Sequence, residues 1–275
     1  MNDWLSVRVH PGTGREAVIA ALFAAGAQGV QEDGEELVTV FPGDVDPDVV
    51  VGFVLDASRD ARVDTAPAPA VDWSERWKEG IQAQELGALV VTPPWLAHRY
   101  DASRAIIIEP GMAFGTGEHA TTRGVIRLMQ SVLRGGERVA DLGAGSAVLS
   151  IAAAKLGAAR VVAIELDPDA IENAQENVER NGVADRVHLI EGDALALLPL
   201  VAPVELVLAN IISSVLLSLL PGIAGALAPG SGSCAILSGL LREERAEMLR
   251  AFAGGKWRVL AEDHEDAWWT VMIAR

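Results

Sequence analysis

The stretch Arg138-Val-Ala-Asp-Leu-Gly-Ala-Gly-Ser-Ala-Val-Leu-Ser150 decides the fold. Its apolar run at 139–142 predicts a strand, Gly143 and Gly145 predict a tight turn, and the alanine-rich segment 146–156 predicts a helix. A glycine turn between strand and helix lets a backbone approach a ligand closely and aims the unpaired N–H groups of the helix start at it. The dinucleotide fingerprint requires a third glycine three residues after Gly145, and that position holds Val148. The pyrophosphate reading is weakened accordingly. On this stretch alone a nucleotide site and a plain strand–helix turn both stay open, with Asp141, Gly143 and Gly145 as candidate ligand residues.

Downstream, 160–166 reads as a second strand ending in Ile-Glu-Leu-Asp-Pro. Asp167 before Pro168 has the form of an N-cap for a helix over 168–181. Glu165 lies 22 residues after Gly143, near the spacing at which an acidic residue meets a ribose hydroxyl, and is assigned that role. A strand at 187–190 precedes Asp193, which is either a turn aspartate or an acceptor for an adenine amine. A strand at 205–209 ends in Asn210-Ile-Ile. Ligands of open parallel sheets bind beyond such ends, so Asn210 points to the crevice of Gly143 and Glu165. Helices at 215–227 and 242–252 flank a strand at 233–240. The runs 257–261 and 268–273, separated by a short acidic turn, predict an antiparallel pair at the sheet edge.

Upstream lies Glu109-Pro-Gly-Met-Ala-Phe-Gly-Thr-Gly-Glu-His-Ala-Thr-Thr122, followed by a helix over 121–133. Glycines interleaved with Met112 and Phe114 suit a loop lying over a ligand, with Phe114, Gly115 and Thr116 as contacts. Thr121 and Thr122 can cap the helix and donate hydroxyls, and a plain capped loop is the alternative. His119 invites a metal or base role and is left unassigned.

The first 66 residues read strand, helix, strand, strand, helix, strand, which predicts a small ferredoxin-like α+β domain. It holds four Arg against twelve Asp and Glu, a charge of −8. Single-strand RNA readers on this topology need basic and aromatic residues on the sheet, and this one has neither. An acidic platform for a basic protein is the sharper reading, a solvated small domain the plainer one. Residues 67–105 form a connecting segment: Ala66-Pro-Ala-Pro-Ala70 is stiff, Trp73 and Trp77 share a helix face, and Pro93-Pro94-Trp95 follows a strand. An α/β domain occupies 106–275.

Over the whole chain, 22 Lys and Arg face 38 Asp and Glu, a net charge of −16, so phosphate-driven nucleic-acid binding is not expected. Cys234 is the single cysteine and excludes an internal disulfide. The N-terminus lacks a signal-peptide pattern, and the run 207–220 is interrupted by Asn210 and serines; a cytoplasmic protein without membrane association is expected.

The Glu109–Thr122 loop, Asp-Leu-Gly-Ala-Gly-Ser with Ile-Ala-Ala-Ala-Lys-Leu-Gly-Ala, Glu-Leu-Asp-Pro-Asp-Ala, Asn177 to Asn181 and Leu-Ala-Asn-Ile together resemble the PrmA family, methyltransferases of ribosomal protein L-eleven. The resemblance implies a class I, Rossmann-like methyltransferase domain with a mostly parallel seven-stranded sheet, preceded by a substrate-recognition domain. It implies S-adenosyl-L-methionine as cofactor, and trimethylation of lysine side chains and the N-terminal α-amine of that basic ribosomal protein by a monomer. By position, cofactor contacts fall on Thr122, Gly143, Glu165 and Asn210, and Asn210 would also orient the amine, with Phe114 or Trp268 lining its pocket. The chain departs from the family in having Glu109 and Glu165 for Asp, Ala147 for Gly and Ala120 for Pro. Two rivals are another class I methyltransferase acting on a different amine, and a non-catalytic nucleotide-binding assembly factor.

Overall fold

The computed structural model describes residues 4–27, 29–43, 45–68, 81–109, 117–230 and 232–275. They belong to two compact units, 1–81 and 82–275, taken here in turn.

In the first unit, β1 (Trp4–His10) alternates so that Leu5, Val7 and Val9 are buried. It is followed by α1 (Arg15–Ala24), β2 (Gln31–Asp33), β3 (Glu36–Pro42), α2 (Pro47–Ala57) and β4 (Arg62–Ala68). The sheet order is β2-β3-β1-β4 with antiparallel neighbours, the ferredoxin-like arrangement expected from the element order. Val18 and Leu22 of α1 and Val50 and Val54 of α2 cover one sheet face with Phe41. Asp46 caps α2 by accepting from the Asp48 N–H at 3.0 Å, as Asp-Pro predicts. β2 and β3 close as a hairpin through a two-residue turn with Gly34 at φ +62°. Of the connecting segment, Pro67 and Ala68 belong to the edge strand β4, where a missing N–H is tolerated, and residues 69–80, with Trp73 and Trp77, lie outside the described part.

The second unit opens with β5 (Gln84–Leu86), β6 (Leu89–Thr92), a 3-10 turn at Pro94–Arg99 and β7 (Ala105–Ile107), which form a three-stranded sheet. Then follow α3 (Ala120–Met129), β8 (Arg138–Leu142), α4 (Val148–Lys155), β9 (Arg160–Glu165), α5 (Pro168–Arg180), β10 (Val187–Glu191) and α6 (Ala194–Val201). The chain ends with β11 (Leu206–Asn210), α7 (Ser213–Ala226), β12 (Cys234–Leu241), α8 (Arg245–Gly254), β13 (Arg258–Glu265) and β14 (Trp268–Ala274). The seven-stranded order is β10-β9-β8-β11-β12-β14-β13. Its first five strands are parallel, and β14 is antiparallel to both neighbours.

Strand alternation separates two cores. Val139, Val161, Leu206, Leu208 and Ile236 meet α3, α4 and α5, whereas Leu142, Val162, Val207, Ala209 and Leu237 meet α6, α7 and α8. Burial on both faces explains why these strands read as continuous apolar runs.

Two elements depart from expectation. α4 begins at Val148 instead of 146, since Ala147 sits in the left-handed region (φ +62°, ψ 18°) and cannot belong to the helix. α6 was not expected; Pro199 within it and its length of eight residues blur the periodic signal, although Asp193 caps it in the ordinary way. Among the described residues no helix is long and apolar enough to cross a membrane.

Candidate functional site

Beyond the carboxyl ends of β8, β9 and β11 the second unit holds a pocket of about 420 Å³. Its floor is the glycine turn. The N–H groups of Gly143 and Ala144 both donate to the Ile164 carbonyl, at 2.8 and 3.2 Å, which fastens the turn to β9. Gly143 and Gly145 have φ of +70° and +53°, so a side chain would strain the backbone where it must approach a ligand.

Glu165 follows directly at the end of β9. Its Oε2 accepts from the Gly145 N–H at 2.8 Å, and Oε1 accepts from the N–H groups of Leu166 and Asp167 at 2.8 and 3.0 Å. Three main-chain donors therefore set this carboxylate before any ligand arrives. Asp141 lies beneath the turn, fully buried. Its Oδ2 accepts from Ser150 Oγ at 2.6 Å, while Oδ1 has no partner among the described residues. Burial, with Glu165 nearby, pushes its carboxyl up to about 6.

The opposite wall comes from β11, β12, β14 and the start of α3. Asn210 ends β11, and the Ile211 N–H continues the pairing to the Ser238 carbonyl at 3.1 Å. Gly239 has φ +82°, and a Cβ there would stand 2.5 Å from the Ile211 carbonyl oxygen, so only glycine lets these strands meet. β12 carries one extra residue against β14 between Leu237 and Leu240, and the bulge brings Gly239 to the pocket.

α3 is clamped onto β13. Arg127 donates to Asp263 Oδ1 and Oδ2 at 2.6 and 2.8 Å and to Glu265 Oε2 at 2.6 Å, and Arg123 pairs with Glu265, holding that carboxyl below the usual range. The clamp delivers the helix start to the pocket. Thr122 is completely buried there, lines the pocket, and its Oγ1 has no partner among the described residues. Thr121 Oγ1 lies 2.7 Å from His119 Nδ1, which also accepts from the Thr121 N–H as helix cap. Burial, then the Arg123 charge, hold His119 below its ordinary value, which favours the uncharged ring. It meets Trp268 edge-on, with ring centroids 4.7 Å apart and planes at 68°.

The structure thus gathers Thr122, Gly143, Gly145, Glu165 and Asn210 into one lining, with Asp141 under its floor. Asp193 is not part of that lining: its Oδ1 caps α6 by accepting from the Leu195 N–H at 2.9 Å. Phe114, Gly115 and Thr116 lie outside the described residues. Sequence reasoning left three contributors without a role. His119 and Gly239 line the pocket, and a lone glycine inside a strand was the available signal for the latter. The pair Asn177 and Asn181 braces the approach to the site: Asn181 exchanges bonds with the Ile107 N–H and carbonyl at 2.8 and 2.7 Å. Asn177 Oδ1 accepts from the Glu109 N–H at 3.1 Å, and its Nδ2 donates to the Ser146 carbonyl at 3.2 Å.

These features match known proteins. The family model for ribosomal protein L11 methyltransferase (PrmA) matches residues 51–275. A ribosomal protein L11 methyltransferase of Pelotomaculum thermopropionicum is 40% identical over 76% of this chain and 70% of its own length. The one from Thermus thermophilus is 35% identical over 92% of each chain. The crystal structure of the ribosomal protein L11 methylase from Lactobacillus delbrueckii subsp. bulgaricus superposes with a TM-score of 0.63 at 28% identity, covering 71% of this chain and 99% of that one. With the parallel sheet, the glycine turn and the acidic strand end already in place, the chain belongs to the ribosomal protein L11 methyltransferase (PrmA) family.

Proposed function

We propose that this pocket binds S-adenosylmethionine and serves the methylation of lysine ε-amines and the N-terminal α-amine of ribosomal protein L11, through to the trimethyl state. When bound, the cofactor supplies an electrophilic sulfonium methyl to the lone pair of the acceptor nitrogen and leaves as a neutral thioether. The observation that carries this reading is the pair of orphaned buried oxygens, Thr122 Oγ1 and Asp141 Oδ1. Buried polar atoms ordinarily have partners, and a ligand with a hydrogen-bonding end and positive charge suits a hydroxyl in the wall and a carboxylate under the floor.

Glu165, already oriented, accepts from the ribose hydroxyls. The turn at Gly143 and Gly145 brings main chain against the ligand, while Asp193, outside the pocket lining, is assigned to the adenine amine from sequence alone. Phe114, Gly115 and Thr116 are assigned to the cover of the site from sequence alone. Asn210 accepts from the incoming amine through Oδ1 and aligns its lone pair, the orientation that an in-line displacement needs. A lysine at pH 7 costs about 4–5 kcal/mol to deprotonate, and apolar Ile211, Ile212 and Trp268 lower that cost by desolvating the ammonium. The acidic N-terminal unit supplies a surface for a basic substrate.

Incubation of unmethylated L11 with enzyme and S-adenosylmethionine, followed by mass spectrometry of its peptides, tests the reading: mass gains in multiples of one methyl at amines are expected. An unchanged L11 mass would overturn it.

A further inference from the structure

We propose that Trp268, held by His119, determines how many methyl groups one amine receives, its indole face seating the methylated ammonium between rounds. This rests on the functional reading above and adds to it a residue that discriminates between methylation states.

In the sheet order β9-β8-β11-β12-β14, the Glu165 and Trp268 strands are four spacings apart, about 19 Å, so Trp268 closes the end opposite the ribose-binding carboxylate. Ile212, which follows β11 in the same wall as Trp268, lines the pocket and is 63% exposed, so this wall opens to solvent, where an acceptor enters. Among the described lining residues Glu165 is the only carboxylate, and three main-chain N–H groups already hold it. The nearby Asp263 and Glu265 are engaged by Arg123 and Arg127. Among the described lining residues, a cation at this end therefore has an aromatic ring for a partner and not a free carboxylate.

That choice has a chemical consequence. Each transfer forms one N–C bond, breaks the sulfonium S–CH3 bond with its electron pair left on the thioether sulfur, and leaves an ammonium, which loses a proton to solvent to regain a lone pair; after the third it has no proton to lose. Each round also removes an N–H donor, so a site that gripped the amine only through acceptors such as Asn210 would hold it less well at every step. An indole face does the reverse, since attraction to its quadrupole needs no N–H and tolerates added methyls. The edge-on contact with His119, whose uncharged form is favoured, fixes the plane without placing a competing cation against it.

The experiment compares wild type, Trp268→Phe and Trp268→Leu in time courses on L11, resolving mono-, di- and trimethyl forms at each amine, with S-adenosylmethionine affinity measured in parallel. Trp268→Leu should keep cofactor affinity within about twofold and slow the third transfer about tenfold more than the first, so that mono- and dimethyl forms accumulate. Trp268→Phe should fall between. An unchanged product distribution, or equal slowing of all three rounds, would overturn the proposal. A measurement without any variant guards against misfolding: wild type with the thioether product bound should hold trimethylated L11 as tightly as unmethylated L11. Tenfold weaker binding of the methylated form would also overturn it. Wild type that adds no methyl at all to L11 would overturn the functional reading, and this inference with it.

Discussion

Asp141 and Thr122 have the same peculiarity, a buried oxygen without a partner among the described residues, and they respond differently to replacement. The folded pKa of Asp141, about 6, lies above its ordinary value of 3.8. The folded state therefore binds more protons across that window, and the stability this carboxyl contributes is present below pH 4 and lost as pH rises through 6. Asp141→Asn should melt higher than wild type at pH 8, by on the order of 1–2 kcal/mol, with the gain vanishing near pH 4 in thermal melts. Thr122→Val keeps the shape and removes an unpaid hydroxyl, so the free protein should be as stable as wild type or slightly more so. Its S-adenosylmethionine affinity should drop about two- to tenfold by calorimetry. Unchanged affinity would remove Thr122 from the site.

At the scale of elements, the site depends on where two helices start. Ala147 holds a left-handed conformation ahead of α4 at about 1–2 kcal/mol, part of which glycine returns as unfolded-state entropy. Ala147→Gly should stabilise the protein by up to about 1 kcal/mol in denaturant titration, and a destabilised variant would contradict the strain. α3 depends on its clamp: Arg127→Ala leaves the half-buried Asp263 and Glu265 short of a cation and should cost about 1–3 kcal/mol. These elements also mark the limits of sequence reading. The turn, Glu165 and Asn210 were legible because spacing along one strand–turn–helix unit, or position at a strand end, is local information. Trp268 was legible only as one of two candidates, beside Phe114, for lining the amine pocket, since its place there depends on the β12 bulge and an antiparallel pairing with Leu241, which no local pattern encodes. α4 was placed early because an alanine in the left-handed region looks like any helix-forming alanine.

For the whole molecule, a charge of −16 with −8 in the first 66 residues suits a basic protein substrate more than a phosphate polymer. Steering by such a field is screened by salt. kcat/KM for L11 should fall roughly tenfold between about 0.05 and 0.5 M ionic strength while kcat changes little, measured by initial rates. A flat profile would take charge out of substrate capture. The order β10-β9-β8-β11-β12-β14-β13 sets Glu165 and Trp268 on strands four spacings apart, so under the proposed reading cofactor binding and acceptor choice are separable by mutation.

The seating of Glu165 by the N–H groups of Gly145, Leu166 and Asp167 bears on which changes this site can absorb. Main-chain hydrogens are common to every residue but proline. Leu166 projects into solvent, 69% exposed, so position 166 can drift through nearly the whole amino-acid alphabet without disturbing the seating of Glu165, and only proline would remove one of its three donors.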